Sequence, residues 1–180
     1  IERFVREEYW QVAALLGTPR NESFTARLTG FAGKKLGKLD TLKGDFKQAV
    51  DRGFRSPRFT SLHGEFFFDT GDFVAAQNAF QRGVEQASGS HLRSLIGKAR
   101  ADVARGEKVD EALQTLNDRL AAADELSPAL KVRALAGKAE ALLAKEMFAD
   151  AEAVAREAVQ ASVKGDLGSA YGHYVLGLSL

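Results

Sequence analysis

A chain of 180 residues, 45% hydrophobic and 27% charged, carries enough apolar material for one buried core or one contiguous array, and its balance is that of an ordinary soluble protein. Lys and Arg number 25 against 24 Asp and Glu, a formal charge of +1, so bulk electrostatics give no reason to expect a nucleic acid or an anionic membrane as partner. With no cysteine there is no disulfide, no thiolate metal site and no thiol nucleophile.

The first residues, "IERFVREEYW", carry charges where a signal peptide would carry an apolar core, and no apolar run approaches the roughly 20 residues that span a bilayer, so membrane insertion is not expected. The chain begins without Met, as an excised or processed segment would. A cytoplasmic setting is the expectation, with a periplasmic one as the alternative if a signal peptide has been removed.

Only three prolines occur, and no stretch alternates in polarity as a strand would, so the chain reads as all-helical. Phe4, Val5, Tyr9, Val12 and Leu16 form an apolar stripe that Gly17, Thr18 and Pro19 end. Asn21 or Ser23 can cap a second helix through Phe24, Leu28 and Phe31, so residues 1–33 are expected to form a helical hairpin packing on an array that begins at residue 34.

From residue 34 onward, short turns recur between apolar helical stretches: Lys43-Gly44-Asp45, Thr70-Gly71-Asp72, Arg105-Gly106-Glu107 and Lys145-Glu146-Met147. Each precedes a bulky apolar residue and then an alanine: Phe46 and Ala49, Phe73 and Ala76, Val109 and Ala112, Phe148 and Ala151. Those alanines are spaced by 27, 36 and 39 residues, a ragged period near that of helix-turn-helix arrays. "SLIGKARA" from Ser94 and "ALAGKAEA" from Ala134 repeat L-x-G-K-A-x-A at a spacing of 40. Two helices joined by so short a turn must approach closely, so Gly64, Ala76, Ala112, Ala139 and Ala151 are expected at crossings.

The unit "TSLHGEFFFDTGDFVAAQNAFQRGV" places Gly64 and Phe67, then Ala76 and Phe80, as G-x2-Y and A-x3-F stand in the tetratricopeptide repeat, which this chain resembles over residues 34–180. Leu36-Gly37 with Ala49, Ala112 with Leu116, Ala151 with Ala155 and Leu176-Gly177 supply parts of further units, the last incomplete. The resemblance implies an α-solenoid, a right-handed superhelix of antiparallel helix pairs. It also implies a non-catalytic scaffold that binds a peptide or partner protein on its concave face. In that register the partner-binding residues are Arg58, Ser61, Glu65, Phe68 and Asp69, with Lys34, Lys38 and Thr41 from the preceding unit. A sensor or regulatory array attached to an effector domain elsewhere in a longer chain is the alternative.

Phe66, Phe67 and Phe68 cannot share one helix face, since successive side chains lie about 100° apart. Phe67 is expected in the core of its pair, Phe66 against a neighbouring unit, and Phe68 toward the groove. The Gly-Lys pairs at Gly33, Gly37, Gly97 and Gly137 lack the flanking glycine and hydroxyl of a phosphate loop and read as crossing positions. His63, His91 and His173 have no metal-ligand spacing, and no nucleophile motif occurs, so neither metal nor cofactor nor enzymatic activity is expected. Tyr171, Val175, Leu176, Leu178 and Leu180 form an apolar helix without its second half. The natural chain is therefore expected to continue, and this open end to fray or self-associate.

Overall fold

The computed structural model describes residues 46–53, 55–122, 126–162 and 176–178, and every regular element among them is helical. A helical segment at 46–51 is followed by α1 (Pro57–Asp69), α2 (Phe73–Gln86), α3 (Leu92–Ala104), α4 (Val109–Ala121), α5 (Pro128–Ala144) and α6 (Phe148–Ala161). The hairpin expected at 1–33, the turn at Lys43-Gly44-Asp45 and the glycines at 33 and 37 lie outside the described residues.

Local chemistry explains where the helices begin. α1 and α5 both open on Ser-Pro: Ser56 Oγ accepts the Phe59 amide at 3.1 Å, Ser127 Oγ accepts that of Leu130 at 3.4 Å, and proline takes the first helical position, where no amide donor is needed. Asp72 caps α2 by accepting the Ala75 amide at 3.0 Å.

The ends of α1, α3 and α5 share one geometry. Gly71 donates to Phe68 O at 3.1 Å and Asp72 to Phe67 O at 2.9 Å; Gly106 donates to Val103 O and Glu107 to Asp102 O, both at 2.9 Å. Glu146 donates to Leu143 O and Met147 to Leu142 O, again at 2.9 Å. This is the Schellman pattern, which requires a left-handed residue after the cap. Gly71 (φ 82°) and Gly106 (φ 67°) adopt it readily, whereas Glu146 is held at φ 59° with a side chain attached.

Each turn returns the chain onto the helix just completed, so α1 packs on α2, α3 on α4 and α5 on α6. The pairs then join: α2 packs on α3, α4 on α5, and the first helices α1, α3 and α5 also touch in sequence. Ala49, Ala76, Ala112 and Ala151 are all buried, as the turn-aromatic-alanine pattern requires.

A close approach of three helices centres on Phe80, which is fully buried in α2. A methyl group on Gly64 of α1 would stand 2.7 Å from the ring carbon Cδ1, and one on Gly97 of α3 would meet the same ring more closely still. One ring therefore fills the space two glycines leave, and it seats α1 and α3 on α2 together. Gly137 plays the same part in α5, where an added methyl would lie 2.5 Å from Arg100 Cγ and 3.4 Å from a Leu116 methyl. Gly97 and Gly137 are thus crossing positions, as their spacing suggests.

A second apolar cluster joins Ile96, Ala99 and Val103 of α3, Ala112 and Leu116 of α4, and Ala134 and Ala141 of α5. Alanines Ala136, Ala139 and Ala155 form a third between α5 and α6, with Leu176 packed against them. Because α5 packs against α3, α4 and α6, it buries Val132, Leu135 and Leu142 as well as Ala134, Ala136, Ala139 and Ala141. At the start of α6, Phe148 is 58% exposed, unlike the partly buried Phe73 and Val109 at the matching places. Of the helix expected at 171–180, only residues 176–178 are among those described.

Two stability measurements check this packing. Gly97→Ala is expected to lower the unfolding free energy by about 1–3 kcal/mol, through the strain it places on Phe80. Glu146→Gly is expected to raise it by about 0.5–1 kcal/mol, by relieving the left-handed position. Urea titration followed by circular dichroism reads both.

Candidate functional site

Polar residues on the first helices meet across all three pairs. Glu65 of α1 forms ion pairs with Arg93 of α3, Nη1 to Oε2 at 3.4 Å, and with Arg133 of α5, Nη1 to Oε1. The side chains of Glu65, Arg93 and Arg133 retain 18%, 23% and 19% of their exposure, so the cluster is partly withdrawn from water yet open at its rim. Arg93 and Arg133 stand 40 residues apart, one position before the two copies of the repeated octapeptide.

One turn along α1, Phe68 lies beneath the Arg100 guanidinium, 4.4 Å from its ring centroid, and meets Phe73 edge-on at 5.2 Å. Arg100 in turn pairs with Glu140 of α5, Nε to Oε2 at 3.7 Å. Arg100 and Glu140 are also 40 residues apart, at the second variable place of L-x-G-K-A-x-A. Two rows thus cross the first helices, Glu65 with Arg93 and Arg133 in one, Phe68 with Arg100 and Glu140 in the other.

Of the residues anticipated on the inner surface, Glu65 and Phe68 stand in these rows. Arg58 and Asp69 are exposed. Ser61 is instead fully buried, because its hydroxyl donates to Arg58 O at 2.8 Å and so can leave water without losing a partner. Lys34, Lys38 and Thr41 lie outside the described residues. Phe66 rather than Phe67 is the fully buried member of the triplet; its ring is 5.1 Å from that of Phe46 in the preceding segment. Phe67 is half-buried, against His63 and the Ala76, Phe80 and Ala101 cluster. Phe68 is also half-buried against that cluster, so it is no free anchor.

A different polar cluster lies between α2 and α3. Asp102, nearly inaccessible, accepts Lys98 Nζ at 2.7 Å and the Gln77 side-chain amide, whose oxygen accepts Arg105. A carboxylate so fully engaged is a structural tie between helices and carries no chemistry of its own.

His63 is sandwiched by aromatic rings, stacked on Phe46 at 4.7 Å and beside Phe67 at 4.4 Å. Burial, with a smaller contribution from nearby Arg82, pushes its pKa down to about 4. His91 is lowered as well, by burial and then by Arg93, and its Nδ1 lies 2.8 Å from the buried Ser94 hydroxyl. His173 is outside the described residues. Among the described residues no three His, Cys, Asp or Glu side chains gather as a metal site would, and no helix is long and apolar enough to cross a membrane.

Comparison with protein-family models, curated proteins and solved structures returned no match.

Two experiments test these assignments. Because the folded His63 pKa lies below the ordinary 6.5, its neutral form stabilises the fold fully above pH 6.5, and that contribution is lost as pH falls toward 4. At about 1.4 kcal/mol per pKa unit, roughly 3 kcal/mol disappears across this window, and His63→Leu is expected to remove that part of the pH dependence of urea stability. Separately, Glu65→Gln and Arg133→Gln are each expected to cost about 1–2 kcal/mol, with a coupling of about 1 kcal/mol in the double-mutant cycle, the partial exposure keeping the pair well below the value of a buried one.

Proposed function

We propose that this chain is a tetratricopeptide-like α-solenoid that acts as a non-catalytic interaction module, binding a protein or peptide partner on the face formed by its first helices. Two features support the architecture. Each first helix packs on its own second helix and on the next first helix, and the three turns that close α1, α3 and α5 share one hydrogen-bond pattern. Such an arrangement lets successive units bury one another's apolar flanks.

The observation that carries the functional reading is the pair of rows crossing α1, α3 and α5. Glu65, Arg93 and Arg133 from three separate helices converge there with partial exposure, beside a half-buried Phe68 and a buried Arg100, while apolar side chains fill the rest of the interior. Arginine is among the residue types that anchor protein interfaces, where a few contacts carry most of the affinity. Rigid helices hold them, so little freedom is lost on binding.

Affinity capture with the 180-residue chain as bait tests this reading. A specific stoichiometric partner should be retained by the unsubstituted chain and lost from the Arg93→Glu, Arg133→Glu double variant, with circular dichroism confirming that both are folded. Retention of that partner by the folded variant removes this face as the site.

A further inference from the structure

We propose that the seam between the helical segment at 46–51 and α1 is an acid-released joint: when His63 gains a proton, that segment leaves α1 while the pairs from α1 to α6 stay folded. This joint lies apart from the rows assigned to a partner above and does not depend on that reading.

The seam is built from aromatic rings. Phe46 and Ala49 are the buried apolar residues of the segment, and Phe46 lies against three side chains of α1, with ring centroids 5.9 Å from Phe59, 5.1 Å from Phe66 and 4.7 Å from His63. The His63 and Phe46 planes are only 4° from parallel, and Phe67 lies 4.4 Å from the imidazole. Rings stacked in this way displace the water that an imidazolium needs, so the neutral ring fits the closed seam and the charged one does not.

Charges on the surrounding elements do not reverse this preference. α2 contributes Arg82, a cation that itself disfavours protonation, and its Glu85 is exposed. On the segment, Lys47, Asp51 and Arg52 are exposed; on α1, Arg58 and Asp69 are exposed, and Glu65 is engaged by Arg93 and Arg133. When the segment leaves, His63 regains water, so falling pH draws the joint open.

The rest of the array does not rely on Phe46. α1 is also seated on α2 and packs on α3, with the Phe80 ring filling the space at Gly64 and Gly97. A short helix keeps little structure once it is undocked. Opening therefore melts the segment and uncovers Phe59 and Phe66, both buried in the closed state, so acid exposes an apolar face of α1.

Hydrogen exchange read by NMR on the 180-residue chain tests the joint, each rate being corrected for the intrinsic effect of pH. The reporters are the amides of Arg52, which donates to Gln48 O at 3.0 Å, and Gly53, which donates to Val50 O at 2.9 Å. Closure holds the His63 pKa at about 4 against an ordinary 6.5, so their protection is expected to fall about 20-fold from pH 7 to pH 5, while amides of α3 keep theirs. In His63→Phe, which keeps a ring in the stack and takes no proton, that fall should vanish. In the unsubstituted chain the Phe46 ring resonances should move together with those of His63 as pH is lowered, a readout that does not depend on a variant folding. Protection at Arg52 and Gly53 that is equal at both pH values overturns the joint, and so does an equal loss in α3, which makes the opening global. A fall that persists in folded His63→Phe, or Phe46 resonances that stay in place while His63 titrates, removes His63 as the trigger.

Discussion

The rest of this structure depends on one close approach, that of α1 and α3 to the ring of Phe80. Helices can share an aromatic side chain in this way only where they present hydrogen in place of a side chain, at Gly64 and Gly97. Once both first helices rest on α2, their remaining faces are brought together, and the polar side chains of α1 and α3 fall within reach of each other. α5 joins through the corresponding glycine, Gly137, against Arg100 and Leu116. The ion pairs and the cation–π contact are consequences of that spacing. They would not draw the helices together unaided, since partly exposed ion pairs contribute little net free energy.

Small apolar contacts are poor at choosing between alternative pairings, because one alanine face fits another in many registers. The buried polar groups supply discrimination. Asp102 finds Gln77 on α2 and Lys98 on its own helix; Thr60 finds the Gln86 side chain at 3.2 Å as well as carbonyls of its own first turn. Gly83 leaves room beside Thr60 and Ser94 where any side chain would collide. A shifted register would leave these groups without partners at a cost of about 1–3 kcal/mol each.

Much of this framework could be read directly from the chain. Turn glycines followed by an aromatic and an alanine mark where pairs close, because each residue type meets a local demand: left-handed backbone at Gly71 and Gly106, close crossing at Ala76 and Ala112. Glu146 meets the same backbone demand without being glycine, and there the regularity of the flanking residues was the better guide. The site was less legible. Glu65 and Phe68 were anticipated, but their partners Arg93, Arg100, Arg133 and Glu140 were not, since convergence depends on how each helix is rotated and no local pattern records that. The repeated octapeptide did hold a signal: it contains Arg100 and Glu140 at one of its variable places, and extending it by one residue reaches Arg93 and Arg133. Ser61 shows the opposite error. A polar residue assigned to the surface by register can be buried when its own helix satisfies it.

The pairing of Glu65 with Arg133 also limits how this array can change in length. Stacked helix pairs that need only their immediate neighbours can be added or removed as whole units. Here a side chain of the first pair is held by the third, 68 residues later in the chain. Duplication of the middle pair would carry Glu65 away from Arg133, and its deletion would force new geometry on both, so this bond ties the three pairs to their present number and order.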